Sequence, residues 1–227
     1  MPRERSTLKR ISCVLDPEKF IVIASEGTQT EYKYFKQVAS SIYFNNIGKI
    51  EVCQIKHPTG MGNPLQLRAQ IREIKQEQNL RVTDEFFMVI DTDEWGTLLS
   101  KNGYSFESFI DECLRDDSVQ VLVSNPSFEM WLILHLKQLS ELSQEQRELL
   151  LLNPKVDGKP YAKQLLANLI PGNRGFSGVP SPQVFLPHIY DAVKNAKQIV
   201  VSTDKYPRQL GSYVYLLIEK IIIPHEY

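Results

Sequence analysis

Four nearly continuous apolar runs mark the first half of the chain: FIVIA (20–24), IEVCQI (50–55), FFMVI (86–90) and VQVLV (119–123). Runs of this length that are apolar on successive residues predict strands covered on both faces. The segments between them change period. Tyr34, Phe35, Val38 and Ile42 mark one helix, with Thr30 as its expected N-cap. Leu65, Ile71 and Ile74 mark a second after Pro64, and Phe106, Phe109, Ile110, Cys113 and Leu114 a third. FEMWLILHL (128–136) is too long and evenly apolar for a strand and predicts a buried helix, for which Pro126 is a favourable start. The order β-α-β-α-β-α-β-α predicts a mainly parallel sheet with helices on both faces.

From about Gln138 the strand signals cease. ELSQEQRELLLL, YAKQLLANLI, HIYDAVKNAKQI and QLGSYVYLLIEKII suit helices, with a Gly- and Pro-rich loop at 171–182 among them. The expected plan is a flexible basic arm over 1–17, an α/β core over 18–137 and a helical C-terminal extension over 138–227 packed on the core.

Composition narrows the class. A net charge of −1 over 227 residues gives no global basic field, so contact with nucleic acid would need a local patch. Cys13, Cys53 and Cys113 have no CxxC spacing, which predicts a reducing setting and no zinc site. No apolar run approaches the ~20 residues of a membrane span. With no signal peptide in the sequence, the expectation is a cytoplasmic protein without a membrane partner.

The chemistry gathers where the expected strands end. Glu26 and Gly27 follow the first strand, Asp91 and Asp93 close the third, and Asn125 closes the fourth. In open parallel sheets, ligands bind outside the carboxyl ends of the strands. Were strands one and three neighbours, Glu26 would converge on Asp91 and Asp93, whose i, i+2 spacing points both to one side. Carboxylates that close together repel unless a cation neutralises them, and a hard divalent ion prefers such oxygen ligands. Each piece alone has a plainer reading, since an aspartate at a strand end also caps the following turn.

IVIASEGTQTEYKYF, VIDTDEWG and SNPSFEMWLILHL together resemble the RloB family of phage-resistance proteins, within the Toprim fold of topoisomerases, primases and OLD-type nucleases. The resemblance spans roughly residues 20–222 and is most specific in the first 135. It implies a Toprim-like α/β fold and a Mg²⁺- or Mn²⁺-dependent nuclease in bacterial antiphage defence, acting on DNA or RNA, tRNA included, often beside an ATPase partner; a homo-oligomer is compatible with it. Carried onto this chain, Glu26 would be a metal ligand or general base, and Asp91 and Asp93 metal ligands. Glu31 is a further metal or outer-shell acid, or else a favourable charge at a helix N-terminus.

A phosphoryl-transfer site also needs cations. Lys163, in PYAKQLL, is the favoured catalytic lysine because the family carries a similar element there; Lys56, Lys155, Lys159 and Arg174 are alternatives. Gly27, Thr28, Asn125, Glu129, Lys155 and Arg174 are expected against substrate. Glu129, in an apolar helix, must be paired, exposed or functional. His135 reads as a satisfied, partly buried histidine, and Lys194 with Lys197 as an ordinary solvated face or a basic stripe. Two other functions fit the same acids: a catalytically silent Toprim-fold sensor or interaction subunit, and a glycosyltransferase using the DxD.

Overall fold

Residues 19–27, 29–46, 48–53, 63–77, 81–92, 95–172, 180–200 and 203–224 are described by the computed structural model. In chain order the elements are β1 (Phe20–Ser25), α1 (Thr30–Ala39), β2 (Lys49–Cys53), α2 (Pro64–Glu77), β3 (Glu85–Asp91), α3 (Gly96–Lys101), α4 (Phe106–Asp117), β4 (Val119–Asn125), α5 (Phe128–Leu136) and α6 (Gln144–Leu152). They continue with β5 (Lys155–Val156), β6 (Lys159–Pro160), α7 (Tyr161–Leu169), α8 (Ile189–Ile199), β7 (Gly211–Ser212) and α9 (Val214–Ile221). The expected arm at 1–17 lies outside the described residues, as does most of the 171–182 loop.

The main sheet has the order β2-β1-β3-β4-β7, parallel except where β7 pairs antiparallel with β4. Its mixed α/β build is the fold class the apolar runs predict. Alternate residues feed two cores. Ile21, Ile23, Phe87, Val89 and Leu122 face α1, α5, α8 and α9. Val22, Ala24, Phe86, Met88 and Val121 face α2 and α4 through Leu67, Ile71, Phe109 and Cys113. Both faces of β1, β3 and most of β4 are therefore buried, which is why these strands are apolar at successive positions. β2, at the sheet edge, is only partly covered, and Val52 alone of its described side chains is buried.

α5 lies between the sheet and the helices that follow it. All of its residues except Leu136 are buried, so no polar face is needed. His135 is satisfied within this core. Its Nδ1 lies 3.0 Å from the Trp131 carbonyl and so carries the proton, leaving Nε2 to accept from the Tyr34 hydroxyl at 3.0 Å. Burial holds its pKa down at about 3, so the ring is neutral. On the opposite face, α2 clamps the end of α4: Arg68 Nε reaches Asp117 Oδ2 at 2.5 Å and Arg72 Nε reaches Oδ1 at 2.6 Å.

Several local expectations are corrected. Thr30 is the first helical residue of α1, Gln29 holds the cap position, and no side chain caps it. Pro126 lies before α5, with Ser127 at the cap position. α3 was not foreseen, because GTLLSK is too short to display a period. Strand structure also continues beyond Gln138, in the β5–β6 hairpin and in β7, which extends the main sheet. Strands of two residues have no alternation to read. Among the described residues, no helix is long and apolar enough to cross a membrane.

Candidate active site

The chain leaves β1 toward β2 on one side and returns to place β3 on the other, so the direction of winding reverses between β1 and β3. α1 covers one face and α2 and α4 the other, which opens a crevice at the carboxyl ends of β1 and β3. Glu26 and Asp91 sit at that crevice. The Glu26 carboxylate spans it: Oε1 accepts from the Asp91 amide at 2.9 Å, and Oε2 accepts from the indole Nε1–H of Trp95. Each carboxylate oxygen has a second lone pair, so these donors orient the group without exhausting it.

The rim is braced from β4. The Thr92 amide donates to the carbonyls of Ser124 and Pro126, both at 3.1 Å, and its hydroxyl donates to Asn125 Oδ1 at 3.0 Å. Asn125 Nδ2 in turn donates to the Pro207 carbonyl at 3.0 Å. Asn125 thus ties three segments together, through both ends of its amide. The sequence alone assigns no role to Trp95 or Pro207; the one signal for Trp95 is its place in TDEWG, just after the DxD.

A second group adjoins the first through Gly27. Glu31, in the first turn of α1, is buried, and its carboxyl lies against Gly27 so closely that a Cβ there would overlap it. A side chain at Gly27 would therefore need the Glu31 carboxyl to move away, a use for this glycine that its expected place against substrate does not include. Glu129, in the first turn of α5, is also buried. Its Oε2 accepts from the Ser127 hydroxyl at 2.7 Å, and its Oε1 lies 3.8 Å from Lys163 Nζ at the start of α7. Glu129 is therefore paired.

Burial pushes the Glu31 carboxyl up to about 7. The charge of Glu129 adds to the rise, while the amides of Glu31 and Gly27 and the Lys163 ammonium oppose it. The folded value exceeds the ordinary 4.5, so this group's contribution to stability is fully present below about 4.5 and is lost as pH rises through 7. In metal-free buffer, Glu31→Gln is expected to exceed wild type in stability at pH 8 by up to about 3 kcal/mol and to match it near pH 4. Urea melts at the two pH values measure this; a variant no more stable than wild type at pH 8 contradicts it.

A model of the RloB-like protein family matches residues 21–221. The chain belongs to the RloB-like family. Neither a curated protein nor a solved structure matches it. The matched span of this RloB-like chain takes in Glu26, Glu31, Asp91, Asn125, Glu129, Lys155 and Lys163.

Of the expected site residues, Asp93, Thr28 and Arg174 lie outside the described residues, as does Lys56. Among the described residues, no three His, Cys, Asp or Glu side chains gather closely enough to hold a metal ion. The donor chemistry nonetheless fits a hard divalent cation: Glu26 and Asp91 offer oxygen only, and the Glu26 carboxylate is oriented by N–H donors as a ligand's outer partners would orient it. Lys155 and Lys159 are exposed on the β5–β6 hairpin. Lys197 pairs with Glu219 at 2.5 Å and Lys194 is exposed beside it, which makes that helix face an ordinary solvated one.

Proposed function

We propose that this RloB-like chain is a Mg²⁺- or Mn²⁺-dependent nuclease of Toprim type, hydrolysing phosphodiester bonds in nucleic acid during antiphage defence, with an ATPase as partner. The observation that carries the reading is the meeting of Glu26 with the end of β3 at the topological switch point. A lone acid at a strand end is common, but two from neighbouring central strands at the ligand-binding crevice are poorly explained by capping. In this scheme Glu26, Asp91 and Asp93 hold the metal, with Glu31 behind them. When bound, such an ion polarises a phosphoryl oxygen and lowers the pKa of an attacking water. Trp95 and the Asp91 amide keep the Glu26 carboxylate in position. Lys163 presents its ammonium to the developing negative charge, and Glu129 keeps that ammonium close.

The test is a cleavage panel of DNA, tRNA and total RNA with Mg²⁺ or Mn²⁺, with and without the proposed ATPase partner. Metal-dependent cleavage of at least one substrate is expected, and EDTA should stop it. A second reading, a catalytically silent interaction subunit, is favoured by one feature: both Glu26 oxygens already accept hydrogen bonds. Metal binding by calorimetry with no turnover on any substrate selects that reading.

A further inference from the structure

The β5–β6 hairpin is the least explained piece of the fold. Its turn, Asp157-Gly158, has φ of 51° and 76°, the two left-handed positions of a tight two-residue hairpin. Pairing runs Lys155 to Pro160 and Val156 to Lys159, so the lysines lie on opposite faces of the ribbon. A two-stranded ribbon of this size is unstable by itself, and this one buries none of its residues. It is held from outside. Gln164 of α7 donates to the carbonyls of Val156 and Lys159, the latter at 3.0 Å. The Tyr161 amide donates to the Pro154 carbonyl at 2.9 Å, and the Ala162 amide donates to Asn153 Oδ1 at 2.9 Å. Hydrogen bonds thus fix in place an exposed ribbon that contributes nothing to the core.

Its position gives the fixed ribbon a use. α7 follows β6 directly, and Lys163 in its first turn lies 3.8 Å from Glu129. Glu129 lies in the first turn of α5, just beyond the carboxyl end of β4. The ribbon is thus joined, through Lys163 and Glu129, to the carboxyl end of β4, the strand that pairs with the one ending in Asp91. Lys155 and Lys159 have no acidic partner among the described residues, as is true of other surface lysines such as Lys33 and Lys194; what sets the two apart is the fixed ribbon that carries them. Asp157 at the tip offsets one charge. Lys163 is already paired with Glu129, so two exposed lysines against one aspartate leave the hairpin a small local positive charge on a chain whose total charge is −1. A chain that must approach a polyanion without a global field needs such a local charge.

We infer that the β5–β6 hairpin is a backbone clamp for single-stranded nucleic acid, in which Lys155 and Lys159 take phosphates flanking the one held near Lys163. This deepens the nuclease reading and rests on it for the choice of ligand. The contacts are electrostatic and independent of sequence, so each lysine contributes to affinity and to its salt dependence.

The experiment is fluorescence anisotropy in EDTA with labelled single-stranded RNA and DNA of ~20 nucleotides. Wild type, Lys155→Ala/Lys159→Ala, Lys155→Glu/Lys159→Glu and, as a control on α8, Lys194→Glu are titrated over a range of KCl. The alanine pair is expected to lower the magnitude of the log affinity against log salt slope by roughly 1 to 1.5, and the glutamate pair to weaken binding at least about tenfold at low salt. Lys194→Glu should follow wild type. Circular dichroism should show all four folded, since the altered side chains are exposed. Wild-type affinity and slope in both hairpin pairs overturn the clamp and leave the nuclease reading standing. Binding that depends on the hairpin without metal-dependent cleavage upholds the clamp and sinks the nuclease reading. Failure of the wild type to bind either strand overturns the clamp, including the case in which the hairpin serves an acidic protein instead.

Discussion

Asp91→Asn is expected to cut metal-dependent cleavage by roughly 10³-fold while leaving the fold intact. A metal ion supplies several kcal/mol of stabilisation to the charge that develops on phosphoryl oxygens, and ~1.4 kcal/mol corresponds to a factor of ten in rate. Asparagine keeps the backbone amide that donates to Glu26 Oε1, so the orientation of Glu26 survives. It removes only the anionic oxygen. Asp91 is the last residue of β3 and half-buried, outside both apolar cores, so no packing is lost. Single-turnover cleavage, measured beside a thermal melt, tests both halves. Wild-type cleavage by a folded Asp91→Asn protein with the same metal would falsify the assignment. Glu26→Gln is less clean, because an amide in place of the carboxylate also meets the Trp95 and Asp91 donors with an NH₂ group.

The second large effect concerns stability. Asp117→Ala is expected to cost about 3 kcal/mol at pH 7, the lower end of what breaking a buried ion pair by removing one partner costs. Asp117 is buried and receives Arg68 at 2.5 Å and Arg72 at 2.6 Å. Its removal leaves the buried Arg68 guanidinium with Glu112 at 3.2 Å and the more distant Asp116 at 3.7 Å, which keeps the loss from being larger. Burial acts against the charge of Asp117, but hydrogen bonds from Arg72 and Arg68 outweigh it and hold its pKa below the ordinary 3.8. The contribution is therefore present above about pH 4 and fades as pH falls below it. Urea melts of wild type and variant should differ most near neutrality and converge in acid. A gap that is as wide at pH 3 as at pH 7 would contradict this account.

The two pH responses have opposite signs for one physical reason. Asp117 is buried against two guanidinium groups, so its charged form is favoured. Glu31 is buried beside another carboxylate, with one lysine and two amides in opposition, so its neutral form is favoured. Burial disfavours the charged form of both; at Asp117 two guanidinium groups outweigh it, whereas at Glu31 burial, the largest cause, prevails over one lysine and two amides.

What the sequence by itself determined was local. Continuous apolar runs located the four parallel strands to within a residue or two, and the evenly apolar FEMWLILHL identified α5 as a helix with no solvent face. These patterns are legible because a strand or helix records on its own residues which of its faces are covered. The acids at the strand ends, and their order along the chain, were equally plain. Tertiary structure alone decided what met what. Only the order β2-β1-β3-β4 sets the ends of β1 and β3 side by side, and only that adjacency puts the Trp95 indole on Glu26, 69 positions away. The sequence left Glu129 as paired, exposed or functional; its pairing with Ser127 and Lys163 needed α7 to fold back over α5. The hairpin that presents Lys155 and Lys159 was invisible for the same reason: two-residue strands carry no periodicity, and the groups that hold them in place come from the next helix.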